Sequence, residues 1–323
     1  MNPVIDAVGL SKTYRVRRGG PWWRRRLLSV EAVARVTFAI QPGEMVGYIG
    51  PNGAGKSTTI KMLTGILVPT AGRVRVAGLE PARRRRELAR RIGAVFGNRS
   101  LLWWDLPLRD SFELLRHVYR VPAESHRRRL TELAELLQLE PFLLTPVRQL
   151  SLGQRMRGEL TAALLHGPEI LFLDEPTIGL DIISKARVRD FLATLNRERG
   201  VTVLLTTHDL ADIERLCPRI LIIDRGRVLY DGGTAEIAAR FGAERTLVID
   251  LAEATGPLTL PHAEVVRVEG PRQWARFRPA ETTAAALVAA VSEQAQLRDL
   301  AIEEPDIEEV VRRVYEGEAV PAG

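Results

Sequence analysis

Eight residues constrain this 323-residue chain more than any other feature: Gly50-Pro51-Asn52-Gly53-Ala54-Gly55-Lys56-Ser57. They fit the pattern G-x-x-x-x-G-K-[ST]. The apolar run MVGYIG at 45–50 precedes them, and Ile60, Leu63, Ile66 and Leu67 follow on one helical face, with Pro69 and Gly72 ending the segment. Strand, glycine-rich loop and helix in that order make an anion cradle. The glycines let successive backbone N–H groups face phosphate oxygens, and the helix start at Lys56, Ser57 and Thr58 adds its positive dipole end. In such a cradle Lys56 reaches the β- and γ-phosphates and Ser57 ligates Mg²⁺, so the pattern predicts a nucleoside triphosphate site.

The chain around the cradle reads as α/β. Short β-branched stretches at 4–16 and 31–49, split by the turn at Pro42-Gly43, predict strands. Almost wholly apolar runs at 170–173 (ILFL), 201–205 (VTVLL) and 220–223 (ILII) alternate with polar helices, the pattern of a parallel sheet with crossover helices. Between them, Phe112, Leu115, Val118 and Tyr119 form one helical stripe and Leu130, Leu133, Ala134 and Leu137 another, which predicts a helical insert at about 98–168. The run ILFLDEP delivers Asp174 and Glu175 to the carboxyl end of a strand, where a doubly wound sheet gathers its ligands. There Asp174 is placed to hold Mg²⁺ and Glu175 to polarise an attacking water, which argues for hydrolysis.

Charge divides the chain. From residue 241 onward there are 8 basic and 15 acidic residues, a net of −7, so the overall +6 leaves +13 on residues 1–240. The boundary is therefore read at 240/241. The tail shows three strand-like runs (TLVID, EVVRV, WARFRP) and helices at 281–294 and 306–315, a small α+β unit. No apolar run approaches the 18 or more residues of a membrane-spanning helix, and the lone Cys217 forms no intrachain disulfide. The start of the chain shows no leader pattern, so the expected compartment is the cytoplasm. Arginine runs at 24–26, 83–86 and 127–129 leave nucleic acid, anionic lipid or acidic protein as partners of a basic surface.

Leu150-Ser151-Leu152-Gly153-Gln154, about 20 residues before Asp174, resembles the signature motif of ATP-binding cassette (ABC) ATPases. Ser151 is a natural N-cap for the helix that continues through Leu160, Leu164 and Leu165, a second anion-facing helix end. The resemblance covers about residues 4–235 and implies a P-loop fold of ABC type with a helical signature subdomain. It implies ATP and Mg²⁺ as cofactors, and a head-to-tail dimer in which residues 50–58 of one copy and Ser151, Gly153 and Gln154 of another close on the same ATP. It further implies Tyr14 as the adenine-stacking aromatic, Asp181 of the run Gly179-Leu180-Asp181 in a loop crossing the dimer interface, and His208 as the γ-phosphate contact. One position departs: where the family usually has Gln, with its amide on Mg²⁺ and the attacking water, this chain has Asn98, one methylene shorter.

The segment LWWDLPLRDSFELL and the tail DLAIEEPDIEEVVRRVY are similar to export-type ATPase subunits that drive separate transmembrane permeases. By that resemblance the chain is an ATPase at the cytoplasmic face of the membrane, with Trp103 and Trp104 either receiving a permease helix or buried in the helical insert. Residues 17–30 (RRGGPWWRRRLLSV) read either as a brace on an anionic membrane surface or permease, or as a solvated loop. Import is the alternative within transport. A nucleic-acid role is not expected, because the chain has one cassette and its insert is broken by Pro107, Pro122 and Pro141 rather than carrying long heptad arms.

Overall fold

The computed structural model describes residues 2–18, 26–97, 99–207, 209–241, 244–303 and 307–316. The chain divides into two compact units, Met1–Asp231 and Gly232–Gly323. In the first, β1 (Ile5–Arg18), β2 (Arg26–Ile40) and, after β3 (Met45–Ile49) and α1 (Lys56–Leu63), β4 (Ala71–Val76) build an antiparallel sheet of order β2-β1-β4. A one-turn α2 (Arg85–Leu88) leads to β5 (Ile92–Phe96), then come α3 (Leu108–Tyr119), α4 (Ala123–Leu136), α5 (Leu152–Leu164) and β6 (Ile170–Asp174). The unit closes with α6 (Ile182–Arg199), β7 (Thr202–Thr206), α7 (Leu210–Leu216), β8 (Arg219–Asp224) and β9 (Arg227–Gly233), whose last two residues fall past the division.

The six-stranded sheet has the order β5-β6-β7-β3-β8-β9, and its β5/β6, β6/β7, β7/β3 and β3/β8 pairs are parallel. The central strands are apolar because both faces are covered: Tyr48, Ile170, Phe172, Leu204 and Leu221 all lie within one core that also holds Ile60, Met62 and Leu63 of α1. The helical insert is the crossover from β5 to β6. Parallel register puts Phe96, Asp174 and Thr206 side by side, so the loops after β5, β6 and β7 leave the sheet at the same edge as the loop after β3.

Several sequence expectations shift. The helix after the cradle stops at Leu63, capped by Thr64, and the next residue, Gly65, has φ +75°; Ile66 and Leu67 are outside it. Phe112, Leu115, Leu133 and Ala134 are buried as their stripes require, whereas Val118 is exposed. The segment 17–30 is no simple loop between strands, because β1 and β2 run on as a paired ribbon to Arg18 and Arg26. Its tip, 19–25, with Trp22, Trp23, Arg24 and Arg25, lies outside the described residues, so the membrane-brace reading does too.

The second unit holds α8 (Thr234–Phe241), β10 (Arg245–Leu251), β11 (Ala263–Glu269), β12 (Arg272–Phe277), α9 (Ala284–Gln294), β13 (Leu297–Glu303) and α10 (Ile307–Glu316). Its four-stranded sheet, β11-β12-β10-β13, is antiparallel, with Leu247, Ile249, Ala275 and Phe277 packed on Leu287 and Val291 of α9. The division precedes 240 because α8 packs with α10.

One half-buried group in the first unit ties stability to pH. The His166 ring stacks on Tyr119 at 4.1 Å between centroids, and its Nε2–H donates to the Ile92 carbonyl at 2.9 Å. Burial pushes its pKa down to about 4, so the folded state holds it neutral while the unfolded chain protonates near 6.5. Stability from this residue is complete above the unfolded value and is lost as pH falls from 6.5 towards 4, about 2–3 kcal/mol in all. Denaturant melts between pH 7 and pH 4 should show that loss, and His166→Gln, which keeps a donor for Ile92, should flatten it.

Candidate active site

The cradle is built by the backbone. Gly55 sits before α1 at φ +106°, a conformation L side chains rarely adopt, and a Cβ there would meet the Ala32 carbonyl oxygen at 2.4 Å. The start of α1 has no side-chain cap, so its first N–H groups are left for a ligand. Lys56 is buried, its Nζ folded over the loop and donating to the carbonyls of Gly50 (2.5 Å) and Pro51 (3.2 Å). Burial lowers its pKa, and the nearby carboxylates of Glu175 and Asp174 oppose that shift. The glycine loop and the end of β6, distant in sequence, thus act on one another electrostatically.

At the end of β6, Asp174 Oδ1 accepts from the Thr206 hydroxyl at 2.6 Å, a contact set by the β6/β7 register. Thr206 was missed in the sequence; its only signal is its place at the end of VTVLLTT, level with Asp174. Glu175 N–H donates to the Thr206 carbonyl at 2.9 Å, and Glu175 itself has φ +58°. A non-glycine residue held there costs on the order of 1–3 kcal/mol, strain of the kind that recurs where a side chain must be aimed. Gly97 N–H donates to the Asp174 carbonyl at 3.1 Å, bringing the chain after β5 to the same place. Asn98 and His208 lie outside the described residues, as the neighbours of Gly97 and Thr207 in sequence.

The donor set fits Mg²⁺. Among the described residues no group of three or more His, Cys, Asp or Glu is placed to cage a metal. One strand-end carboxylate oriented by a hydroxyl, plus Ser57 in the first turn of α1, supplies the few hard oxygen ligands that Mg²⁺ takes alongside phosphate and water.

Tyr14 is half-buried on β1, paired with Val30 of β2, the strand whose Ala32 backs Gly55, and Lys12 Nζ lies 5.5 Å from its ring centroid. The aromatic therefore lies on the middle strand of the antiparallel sheet, paired with the strand that backs the cradle.

The segment expected to form a second anion-facing surface opens α5. Ser151 Oγ accepts from Gln154 N–H at 3.2 Å and Gln154 Oε1 accepts from Ser151 N–H at 2.8 Å, a reciprocal capping box. Gln154 is therefore committed to the cap, while the amides of Leu152 and Gly153, in the first turn of α5, have no intrahelical acceptor. Gly153 is required by packing: a Cβ would lie 2.4 Å from Ser184 Oγ. Ser184 donates through N–H (2.9 Å) and Oγ (2.7 Å) to Asp181, the N-cap of α6, and those bonds hold the Asp181 carboxyl below the usual range. Beside this junction Leu152, Ile178, Ile182 and Ile183 are exposed, Ile182 at 83%.

Trp103 and Trp104 are 41% and 54% exposed, which rules out the reading that buries them in the helical insert. Among the described residues no helix is long and apolar enough to cross a membrane.

Comparison with known proteins accords with this geometry. Residues 33–178 match the family described as ABC transporter. Over 226 residues the chain is 38% identical to the Nod factor export ATP-binding protein I of Paraburkholderia xenovorans (strain LB400), covering 69% of this chain and 71% of that one. It is 37% identical over 208 residues to the methionine import ATP-binding protein MetN of Geobacillus kaustophilus (strain HTA426), covering 63% of this chain and 60% of MetN. A solved dimeric post-hydrolysis state of the cassette MJ0796, bound to ADP and Pi, superposes with TM-score 0.60 at 29% identity, covering 71% of this chain and 98% of that one. The chain belongs to the ABC transporter family and is an ATPase of the ATP-binding cassette type.

Proposed function

We propose that this chain is the motor subunit of a transporter, exporting cargo by working on separate transmembrane subunits, and that two copies close head-to-tail on ATP. The observation that carries the dimer is the split site. The cradle with Lys56, Asp174 and Glu175 is one part; the α5 start, whose first-turn amides at Leu152 and Gly153 have no intrahelical acceptor, is the other, beside exposed Leu152, Ile178, Ile182 and Ile183. Exposed apolar residues beside a helix N-terminus suit a face that closes on a partner's nucleotide.

In this reading the backbone of residues 50–55 and the N–H groups of Lys56, Ser57 and Thr58 bind the phosphates, with Lys56 swinging from the Gly50 and Pro51 carbonyls to the β- and γ-oxygens. Ser57 and Asp174 hold Mg²⁺, which neutralises charge on the phosphates when bound. Thr206 orients Asp174, and Glu175 takes a proton from the attacking water. Tyr14 stacks on adenine, the Asn98 amide takes the place of the usual Gln at Mg²⁺ and the attacking water, His208 contacts the γ-phosphate, and the Ser151–Gln154 segment contributes from the second copy. Met1–Asp231 is the cassette and Gly232–Gly323 an accessory domain. The subunit sits peripherally at the cytoplasmic face, with Trp103 and Trp104 turned to the permease and residues 17–30 against an anionic surface.

Export rests on the likeness to the Nod factor export protein and to export-type subunits around Trp103–Trp104. Import is the second reading, supported by the comparable identity to MetN, because the membrane subunits, not the cassette, set direction. Purification of the tagged full-length chain from detergent-solubilised membranes tests the coupling: an integral membrane protein should accompany it in fixed stoichiometry, and recovery of the chain alone would contradict the motor reading.

A further inference from the structure

The loop that carries the two exposed tryptophans is fastened to the signature helix through a carboxylate inside the fold. Glu159 lies on α5, six residues beyond Gly153, and is 4% exposed. One carboxylate oxygen accepts from the Ser100 hydroxyl and the other from the Leu101 N–H at 2.8 Å. Ser100 Oγ in turn accepts from Leu102 N–H at 3.0 Å. The adjacent residue of α5, Gly158, takes the loop by packing: a Cβ there would meet Leu108 at 2.7 Å and Leu102 at 3.1 Å. Two consecutive residues of α5 are thus shaped to receive residues 100–102, one by hydrogen bonding and one by having no side chain. The far end of the loop is tied into the same helical section, with Trp103 N–H on Ser111 Oγ at 3.2 Å and Arg148 N–H on the Trp104 carbonyl at 3.0 Å.

A buried carboxylate is costly unless its oxygens are satisfied, so this arrangement holds only while loop and helix keep their relative position. Moving Trp103 and Trp104 without moving α5 would strip both donors from Glu159. We infer that Glu159 is a positioning residue that makes the Trp103–Trp104 loop and the signature helix move as one body, so that displacement at either end reaches the other. The inference rests on the reading of this chain as an ATP-driven dimer. It adds to that reading the connection between the α5 start, where a partner's nucleotide binds, and the exposed tryptophans.

The bond inventory separates a hydrogen-bonded link from a requirement for charge. In Glu159→Gln the amide oxygen still accepts from Leu101 N–H and the amide nitrogen donates to Ser100 Oγ, whose proton turns to the Leu102 carbonyl at 3.2 Å. Glu159→Ala removes both bonds. The test uses full-length protein carrying Trp22→Phe, Trp23→Phe and Trp274→Phe, so that emission reports Trp103 and Trp104 alone. ATP with Mg²⁺ should change that emission in the parent protein. Glu159→Gln should retain the change and kcat within about twofold, whereas Glu159→Ala should lose most of the change and about ten- to a hundredfold in kcat, with KM for ATP little altered. Full emission response in Glu159→Ala, equal loss in the Gln and Ala variants, or no response in a parent that hydrolyses ATP would each overturn the inference. Should Glu159→Ala fail to fold, Ser100→Ala decides at an exposed position: a weakened response supports the link and an unchanged one refutes it. Absence of ATP turnover in the parent itself would instead fault the motor reading.

Discussion

Lys56→Ala lowers ATP turnover by about a thousandfold while leaving the melting temperature close to that of the parent. The two halves of that result have separate causes. Lys56 is buried and its charge is held at a desolvation cost, only partly offset by Asp174 and Glu175 and by the Gly50 and Pro51 carbonyls. Removing it takes that cost away along with the contacts, so the fold loses little. In the proposed reading the transition state loses the cation that Lys56 would bring to the transferring phosphoryl group, in a site where burial strengthens electrostatics. Steady-state kinetics beside a thermal melt checks both; a variant retaining even a tenth of parental turnover would remove Lys56 from the chemistry.

Glu175→Gln is the second large effect. Turnover should fall by about 10²- to 10⁴-fold while ATP binding persists, because the amide keeps size and hydrogen bonding but accepts no proton from water. The substitution leaves the backbone cost unchanged, since Gln is as strained as Glu at φ +58°, so lost activity reads as lost chemistry rather than altered loop geometry. With hydrolysis blocked, the ATP-bound closed dimer should accumulate, visible by size-exclusion chromatography with light scattering. Parental turnover in Glu175→Gln would overturn the assignment of the base.

The parts of the fold legible in the sequence are those where burial leaves a pattern. The strands around Tyr48, Phe172 and Leu204 read as apolar runs because both faces are covered, and the cradle was plain because its chemistry demands particular residues in a fixed order. Two elements of the second unit left no such trace. β13 exposes most of its residues, so LRDLAIE carries no run, and α8 escaped because its apolar face is short and its partner, α10, lies at the other end of the unit. The charge break at 241 therefore came later than the structural division at Asp231.

Within the site, the residues that touch ligand in the family pattern were visible, whereas those that position them were not. Thr206, Ser184 and Glu159 act through contacts made by strand register or helix packing, which no local string encodes. Gly153 and Gly158 are glycines in a helix, unfavourable by propensity, and each is explained by a side chain lodged where its Cβ would be.

The central claim is that each nucleotide is hydrolysed between two chains, and the dependence of specific activity on protein concentration tests it most directly. With mass followed by light scattering under saturating ATP and Mg²⁺, turnover per chain should rise with concentration in step with the fraction of dimer and vanish on dilution to single chains. Undiminished turnover from a species of one-chain mass, constant at every concentration, would contradict the account.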